Sequence, residues 1–127
     1  MKKYEKLTNY LQQFDSTNNF GKWIIDADHS PSPSYKIFIH DFIHTFYNGN
    51  YWIKDYLDFI EPIFEKLEKN INISALKEKE LLVLLTYIIR QERFCDGLLL
   101  GKCKDGTIYA ILQALKKYDD TRDHTST

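Results

Sequence analysis

The densest cluster of charged side chains in the sequence lies at residues 90–97, directly after a long apolar run. Its residues are Arg, Gln, Glu, Arg, Phe, Cys, Asp and Gly, so it supplies two guanidinium groups, two carboxylates and one thiol. On a helix, Arg90 and Arg93 share one face, and Glu92 and Asp96 lie one turn apart. Cations and acids would therefore converge where the helix ends, and this segment is the one best suited to specific chemistry.

The first hypothesis is a pocket for a small anionic molecule. Arg90 and Arg93 would bind the anion through their forked N–H donors, and the backbone amides after Asp96 would add positive potential. In an enzyme, Glu92 or Asp96 would serve as general base while the arginines hold a phosphate- or carboxylate-bearing substrate. The candidate ligand-binding residues are Arg90, Glu92, Arg93, Cys95, Asp96 and Gly97.

The alternative is that the same residues build a buried corner between two helices. The arginines would then bind free carbonyl groups at the helix end, Asp96 would cap the next helix, and Gly97 would allow close packing. Ion-pair networks of this kind resemble functional sites. Cys95 fits both alternatives, either as a thiol activated at a helix start or as inert packing.

Two histidines, His40 and His44, lie one helical turn apart with Asp41 between them, which is similar to the spacing in zinc proteases. The apolar stripe centred on Phe42 and Phe46 places both imidazoles on the opposite, solvated face, and the sequence offers no third ligand. His40–Asp41 is also the dipeptide of the metal-dependent HD phosphohydrolases, but no convincing upstream His or distant Asp accompanies it. We therefore predict no metal site.

A second pattern, formed by Gly97, Gly101 and Lys102, is similar to a phosphate-binding loop. It is one residue short, has no Ser or Thr after the lysine, and follows a helix rather than a strand. Helix packing at small residues explains it better, and neither a Rossmann fingerprint nor a Ser-His-Asp set is present. We therefore predict no cofactor.

The element that would position the charged cluster is the apolar run before it. Residues 81–85 are all apolar, and residues 87–89 follow. They cannot all occupy one stripe, so the helix must be covered on all sides. Ser74 is a suitable N-cap. We predict a buried central helix over residues 74–92, about 28 Å long.

Helical periodicity predicts further helices before the central one. The first covers residues 2–14, and the second covers residues 35–47 with Ser34 as its cap. A third segment has a helical period that runs through Pro62. This proline marks either a kink or the first turn of a new helix.

The other segments are less regular. Residues 20–28 are either helical or extended, and the prolines in residues 29–34 predict a loop. After the central helix, a short helical piece would end near Lys102. A last helix would open at residues 105–107, and residues 119–127 would form a flexible polar tail.

Composition and charge exclude several classes of protein. The chain has 127 residues, of which 43% are hydrophobic, and this suits one domain with its own core. Residues 1–73 carry 8 Lys against 10 acids, and residues 74–127 carry 9 basic residues against 8 acids. The net charges of -2 and +1 exclude a basic nucleic-acid footprint in either half.

Hydropathy and the cysteines indicate the compartment. No apolar run is long enough for a membrane span, and no apolar segment follows Met1 as in a signal peptide. Cys95 and Cys103 show no paired metal spacing. We therefore expect a reduced, cytoplasmic setting.

The run from Ile89 to Gly97, followed by Gly106 and an apolar final helix, resembles the bacterial family called domain of unknown function 6508. Its members have a similar arginine, glutamate, arginine, phenylalanine, cysteine, acid and glycine run after an apolar helix. The similarity covers about residues 35–118, and Gln91 stands where a glycine is more usual. Since the family is uncharacterised, the resemblance implies a fold and boundaries but no activity.

The sequence therefore predicts an all-α protein, a single compact domain of five to six helices over residues 1–118. We expect a ligand-binding or protein-interaction module with a polar corner at residues 90–96, and an enzyme acting on a phosphate- or carboxylate-bearing small molecule is the alternative. The partner would be a small anionic ligand or a protein. Exposed Tyr and Trp side chains are compatible with a homodimer, whereas nucleic acid and membrane are not expected.

Overall fold

Six α-helices and one β-hairpin make up the part of the chain that the structure describes, residues 2–125 without the side chains of residues 29 and 123–125. In this computed structural model the helices are α1 (Glu5–Thr8), α2 (Ile37–Asn48), α3 (Ile60–Glu68), α4 (Glu78–Gln91), α5 (Leu98–Lys104) and α6 (Thr107–Thr125). The antiparallel hairpin consists of β1 (Gly21–Asp26) and β2 (His29–Tyr35). Short 3-10 turns cover Leu11–Phe14, Tyr56–Asp58 and Ile73–Ala75.

The hairpin corrects the all-α prediction. The fold is mostly helical, at about 60% of the chain, but residues 20–28 are largely extended, and the predicted loop at 29–34 is most of β2. Pro31 and Pro33 are tolerated because each strand of a two-stranded sheet has one edge without a hydrogen-bonding neighbour. Residues two positions apart direct their backbone nitrogens to the same edge, so both prolines can lie on the outer side of β2.

Helix α4 lies at the centre of the core, as predicted. Residues 81–89 are all buried except the half-buried Tyr87. The helix does not begin at Ser74, which lies in a 3-10 turn. Its N-cap is Lys77, whose backbone amide donates a hydrogen bond to Glu80 Oε1 at 2.9 Å. This bond from the third helical side chain back to the N-cap residue fixes the start of the helix.

A buried carboxylate on α6 fastens the N-terminal segment to the core. Asp119 is only 1% exposed, and it accepts hydrogen bonds from the backbone amides of Lys3 (3.1 Å) and Tyr4 (2.7 Å). Arg122 donates to Asp119 Oδ1 at 3.0 Å and also bonds Glu78 on α4. The N-terminal segment, α4 and α6 therefore meet at one ionic network.

This network corrects the predicted polar tail at 119–127. Helix α6 continues to Thr125, and Asp119 belongs to the interior. The composition of this segment is typical of a solvated tail, but the partners of Asp119 lie as far as 116 positions away in the sequence, where no local pattern can show them. Residues 126 and 127 lie outside the described part of the chain.

The other helices differ from prediction mainly at their ends. The predicted helix over residues 2–14 is broken, because α1 ends at Thr8 and a 3-10 turn follows it. Pro62 is the third residue of α3, so it occupies a first turn and causes no kink. Within residues 2–125, no helix combines the length and the apolar character that crossing a membrane requires.

Candidate functional site

Residues 90–97 form the corner at which α4 gives way to α5. Arg90 and Gln91 end α4, residues 92–96 form turns, and Gly97 is the N-cap of α5. The predicted site residues do not converge on one point here. They occupy three surroundings, namely an aromatic cluster, the start of α5 and the solvent.

Arg90 packs among aromatic side chains on one side of the corner. Its guanidinium carbon lies 5.3 Å from the centroid of the Trp52 ring, and its Nε is buried with no hydrogen-bond partner among the described residues. A hydrogen bond with the Tyr47 side chain raises the pKa of Arg90 above its ordinary value. On the same side, Gln91 Nε2 donates to the Tyr56 hydroxyl at 2.9 Å. Arg90 therefore stacks as a cation on an aromatic ring.

Glu92 binds the first turn of α5 through both carboxylate oxygens. Oε2 accepts from the backbone amide of Gly97 (3.0 Å), and Oε1 accepts from that of Leu99 (2.8 Å). The next amide, of Leu100, donates to the Tyr35 hydroxyl at 3.1 Å. Side chains thus accept from three amides at this helix start, and the Cys95 carbonyl accepts from the Leu98 amide at 3.1 Å. The predicted cap was Asp96, and Glu92 performs that role instead.

Tyr35 links the base of the hairpin to this cap. Burial and the neighbouring Glu92 carboxylate raise the pKa of the Tyr35 hydroxyl above its ordinary value. The hydroxyl therefore stays protonated at physiological pH and supports the start of α5 as a neutral group.

Gly97 is required by the backbone and by its neighbour. Its φ is 92°, in the left-handed region that favours glycine. A Cβ at this position would lie 2.2 Å from Cζ2 of the Trp23 ring on β1. The predicted close packing at Gly97 is therefore confirmed, and the element that packs there is the hairpin.

Residues 93–96 are the exposed part of the corner. Phe94 is 75% exposed, and the guanidinium carbon of Arg93 lies 5.3 Å from the centroid of its ring. Cys95 and Asp96 are exposed as well. Phe94 is not among the site residues predicted from the sequence, although a large apolar residue among charged ones, where a helix ends, is an available signal for a contact residue.

Three aromatic residues that position the corner were missed from the sequence. They are Trp23, Tyr35 and Trp52, and all lie in segments remote from the corner along the chain. The need for glycine at position 97 indicates a bulky neighbour, but it does not identify which one. Only the tertiary structure brings these rings to Arg90, Glu92 and Gly97.

The two histidines lie on the exposed face of α2, as predicted. Nε2 of His44 is 2.7 Å from Nδ2 of Asn48, and the ring of His40 is 6.4 Å from the Tyr35 ring. Within the described residues, no three His, Cys, Asp or Glu side chains come together in a group that could hold a metal ion.

Two surface concavities lie away from the corner. The larger, of about 910 Å³, is bordered by the loop at residues 70–74 and the first half of α6. The smaller, of about 390 Å³, lies at the base of the hairpin and is lined by Lys22, Tyr35 and Lys36 among others. Neither is lined by any residue from 90 to 97. Neither therefore joins the charged cluster to His40 or His44, an arrangement that would favour the enzyme hypothesis.

We expect the two cysteines to react very differently with a thiol reagent. Cys95 is exposed, whereas burial raises the pKa of Cys103 to about 12, so Cys103 holds almost no thiolate near neutral pH. Mass spectrometry should therefore count one modified thiol in the folded protein and two in denaturant. The Cys95→Ser variant is the control and should resist modification while folded. Rapid labelling of Cys103 in that folded variant would contradict the prediction.

Comparison with known proteins gives a family and no activity. A family model described as "Family of unknown function (DUF6508)" matches residues 1–121. This match extends beyond residues 35–118 at both ends and includes the hairpin and Asp119. No curated protein and no solved structure matches the chain.

Proposed function

The chain belongs to the DUF6508 family of unknown function, and we propose that it is a protein-interaction module whose contact surface centres on residues 93–96. The observation that carries the proposal is the 75% exposure of Phe94 at the tip of a supported corner. Aromatic residues and arginine are the types most enriched among residues that dominate protein–protein binding. Phe94 and the neighbouring Arg93 supply one of each.

The corner holds this surface in a fixed shape. On one side of it, Glu92 bonds two amides of α5, and on the other side Gly97 packs against the Trp23 ring. Residues 93–96 are therefore held at both ends, and a partner would lose little conformational entropy by binding them.

A protein partner fits this geometry better than a small anion does. Small molecules bind in concave sites that bury most of their surface, whereas residues 93–96 are exposed and line neither concavity. Arg90 packs on the Trp52 ring, so only Arg93 of the two predicted anion-binding arginines is exposed for binding. The module would act in the cytoplasm, where two unpaired thiols persist.

The enzyme alternative has no observation in its favour. Glu92, one of its two candidate bases, already accepts backbone hydrogen bonds at both oxygens. Asp96, the other candidate, is exposed to solvent and lies outside both concavities.

We expect Phe94→Ala to weaken partner binding at least tenfold, which corresponds to about 1.4 kcal/mol. The stability should change by less than about 0.5 kcal/mol, because the side chain is exposed and is not part of the core. The partner would be identified by photo-crosslinking from a benzophenone side chain at position 94. Its affinity for wild type and variant would then be measured by calorimetry.

The matched control is Leu57→Ala, which removes another exposed apolar side chain, 58% accessible, that lies outside residues 93–96. It should bind the partner as the wild type does. If the partner bound wild type and Phe94→Ala with equal affinity, the proposal that residues 93–96 form the contact surface would be wrong. A thermal shift caused by an anionic metabolite, lost in a folded Arg93→Ala variant, would support the small-molecule alternative instead.

A further inference from the structure

Strand β1 has one backbone edge without a neighbouring strand in the described part of the chain, and we propose that a second copy of this chain pairs with it. The pairing joins β1 to β1, antiparallel, across a twofold axis at Ile24. It rests on the hairpin and is independent of the contact surface at residues 93–96.

The hydrogen bonds at the base of the hairpin show which backbone groups face outward. Lys36 N donates to Phe20 O at 3.0 Å, so these two residues face each other. In the same register, every second pair faces inward, so Lys22 and Ile24 bond to β2. Trp23 therefore directs its N–H and C=O away from β2. Pro33, opposite Trp23, is consistent with this alternation, because it has no N–H and so cannot occupy an inward-facing position that donates to β1.

The two outer edges of the hairpin differ in their capacity to pair. The outer edge of β2 carries Pro31 and Pro33, and its register is interrupted beyond Ile24, where three steps along β2 match two along β1. Prolines and irregularities of this kind prevent an edge strand from accepting another strand. β1 contains no proline and is exposed along residues 22–26, so it is the edge that can add a strand.

The side chains of β1 are complementary to a second copy in one register. When Ile24 faces Ile24 of the second copy, Lys22 lies opposite Asp26 and Trp23 lies opposite Ile25. Opposite charges and apolar pairs placed directly across an antiparallel ladder are favourable. Asp26 Oδ1 also accepts from the Asp28 amide at 3.2 Å, which holds this carboxylate at the end of the strand.

The backbone favours the same register. Trp23 and Ile25 both direct their N–H and C=O groups outward, and in this register they oppose each other and exchange hydrogen bonds. Registers centred on Trp23 or Ile25 would keep such bonds, but they would place Lys22 or Asp26 opposite Ile24. The side chains therefore select the pairing centred on Ile24. It covers Ile25, which is 80% exposed, and Trp23, which is 42% exposed.

Sedimentation at rising concentration tests the proposal on the full chain. The wild type should approach twice the mass of 15.1 kDa as its concentration rises toward millimolar. Ile25→Pro removes an outward N–H that β2 does not use, so this variant should stay monomeric with an unchanged circular dichroism spectrum.

Lys22→Glu places like charges opposite each other at two symmetric positions and should raise the dissociation constant about tenfold. The double variant Lys22→Glu with Asp26→Lys should restore it to within a few-fold of wild type.

Hydrogen exchange supplies the second readout. The amides of Trp23 and Ile25 should become protected as the wild-type concentration rises, and those of Ile25→Pro should not respond. A wild type that stays monomeric throughout would overturn the proposal. A wild-type dimer whose dissociation constant is unchanged in Ile25→Pro and Lys22→Glu would overturn it as well. Phe94→Ala should dimerise as the wild type does, so this proposal and the one for residues 93–96 fail separately.

Discussion

Replacing Asp119 by alanine should destabilise the protein by about 3 kcal/mol, since the variant loses a buried charge that has several partners. The amides of Lys3 and Tyr4 would lose their acceptor, and Arg122 would lose one of its carboxylates. The N-terminal segment carries the buried residues Tyr4 and Leu7, so its packing depends on this anchor. For a domain of this size the midpoint of thermal unfolding should fall by about 10 °C.

The neighbouring residue provides the control for this substitution. Asp120 bonds Lys2 at 3.0 Å, but both side chains are substantially exposed, so Asp120→Ala should cost less than about 1 kcal/mol. Asp119→Asn keeps one acceptor oxygen and loses the charge, and it should lie between wild type and Asp119→Ala. Urea unfolding of the three variants measures each difference. Equal stability of Asp119→Ala and Asp120→Ala would show that the ionic network contributes nothing specific.

The second large effect is expected from Glu92→Ala, which should lower the free energy of unfolding by about 2 kcal/mol. The amides of Gly97 and Leu99 would lose a charged acceptor at the start of α5. Glu92 is half-buried, so in the alanine variant water could reach these two amides only in part. Urea unfolding again gives the difference, and Glu92→Gln, which keeps one acceptor oxygen, should lose about half as much.

Comparing the stability of Glu92→Ala with that of Arg93→Ala distinguishes a residue that supports the fold from one that only contributes to the surface. Arg93 is exposed, so its replacement should leave the stability within about 0.5 kcal/mol of wild type. Glu92→Ala with wild-type stability would instead show that this carboxylate is available for another role, as the enzyme hypothesis requires.

The central helix was predictable because its composition alone dictates burial. Five adjacent apolar residues at 81–85 must be covered on all sides, whichever elements cover them. The hairpin was not predictable in this way. Three serines and two prolines within residues 29–35 are typical of a loop, and only a strand with a free outer edge accommodates them.

At the corner, too, some residues could be selected from the sequence while their contacts could not be predicted. Glu92 and Gly97 could be selected from the sequence, since a carboxylate and a glycine near a helix start have few structural uses. Their actual roles depend on Tyr35 and Trp23, which the hairpin brings to them. The sequence singled out Glu92 and Gly97, but it could not show the remote rings against which they pack.

The bond between Asp119 and the Tyr4 amide also has a consequence for synthesis on the ribosome. The two residues are 115 positions apart, so the N-terminal segment cannot dock until most of the chain has been translated. Tyr4 and Leu7 are translated long before Asp119, so this anchor of their segment forms only after α6 has been made. A chaperone that recognises nascent apolar segments would find this one without its anchor until Asp119 has left the ribosome.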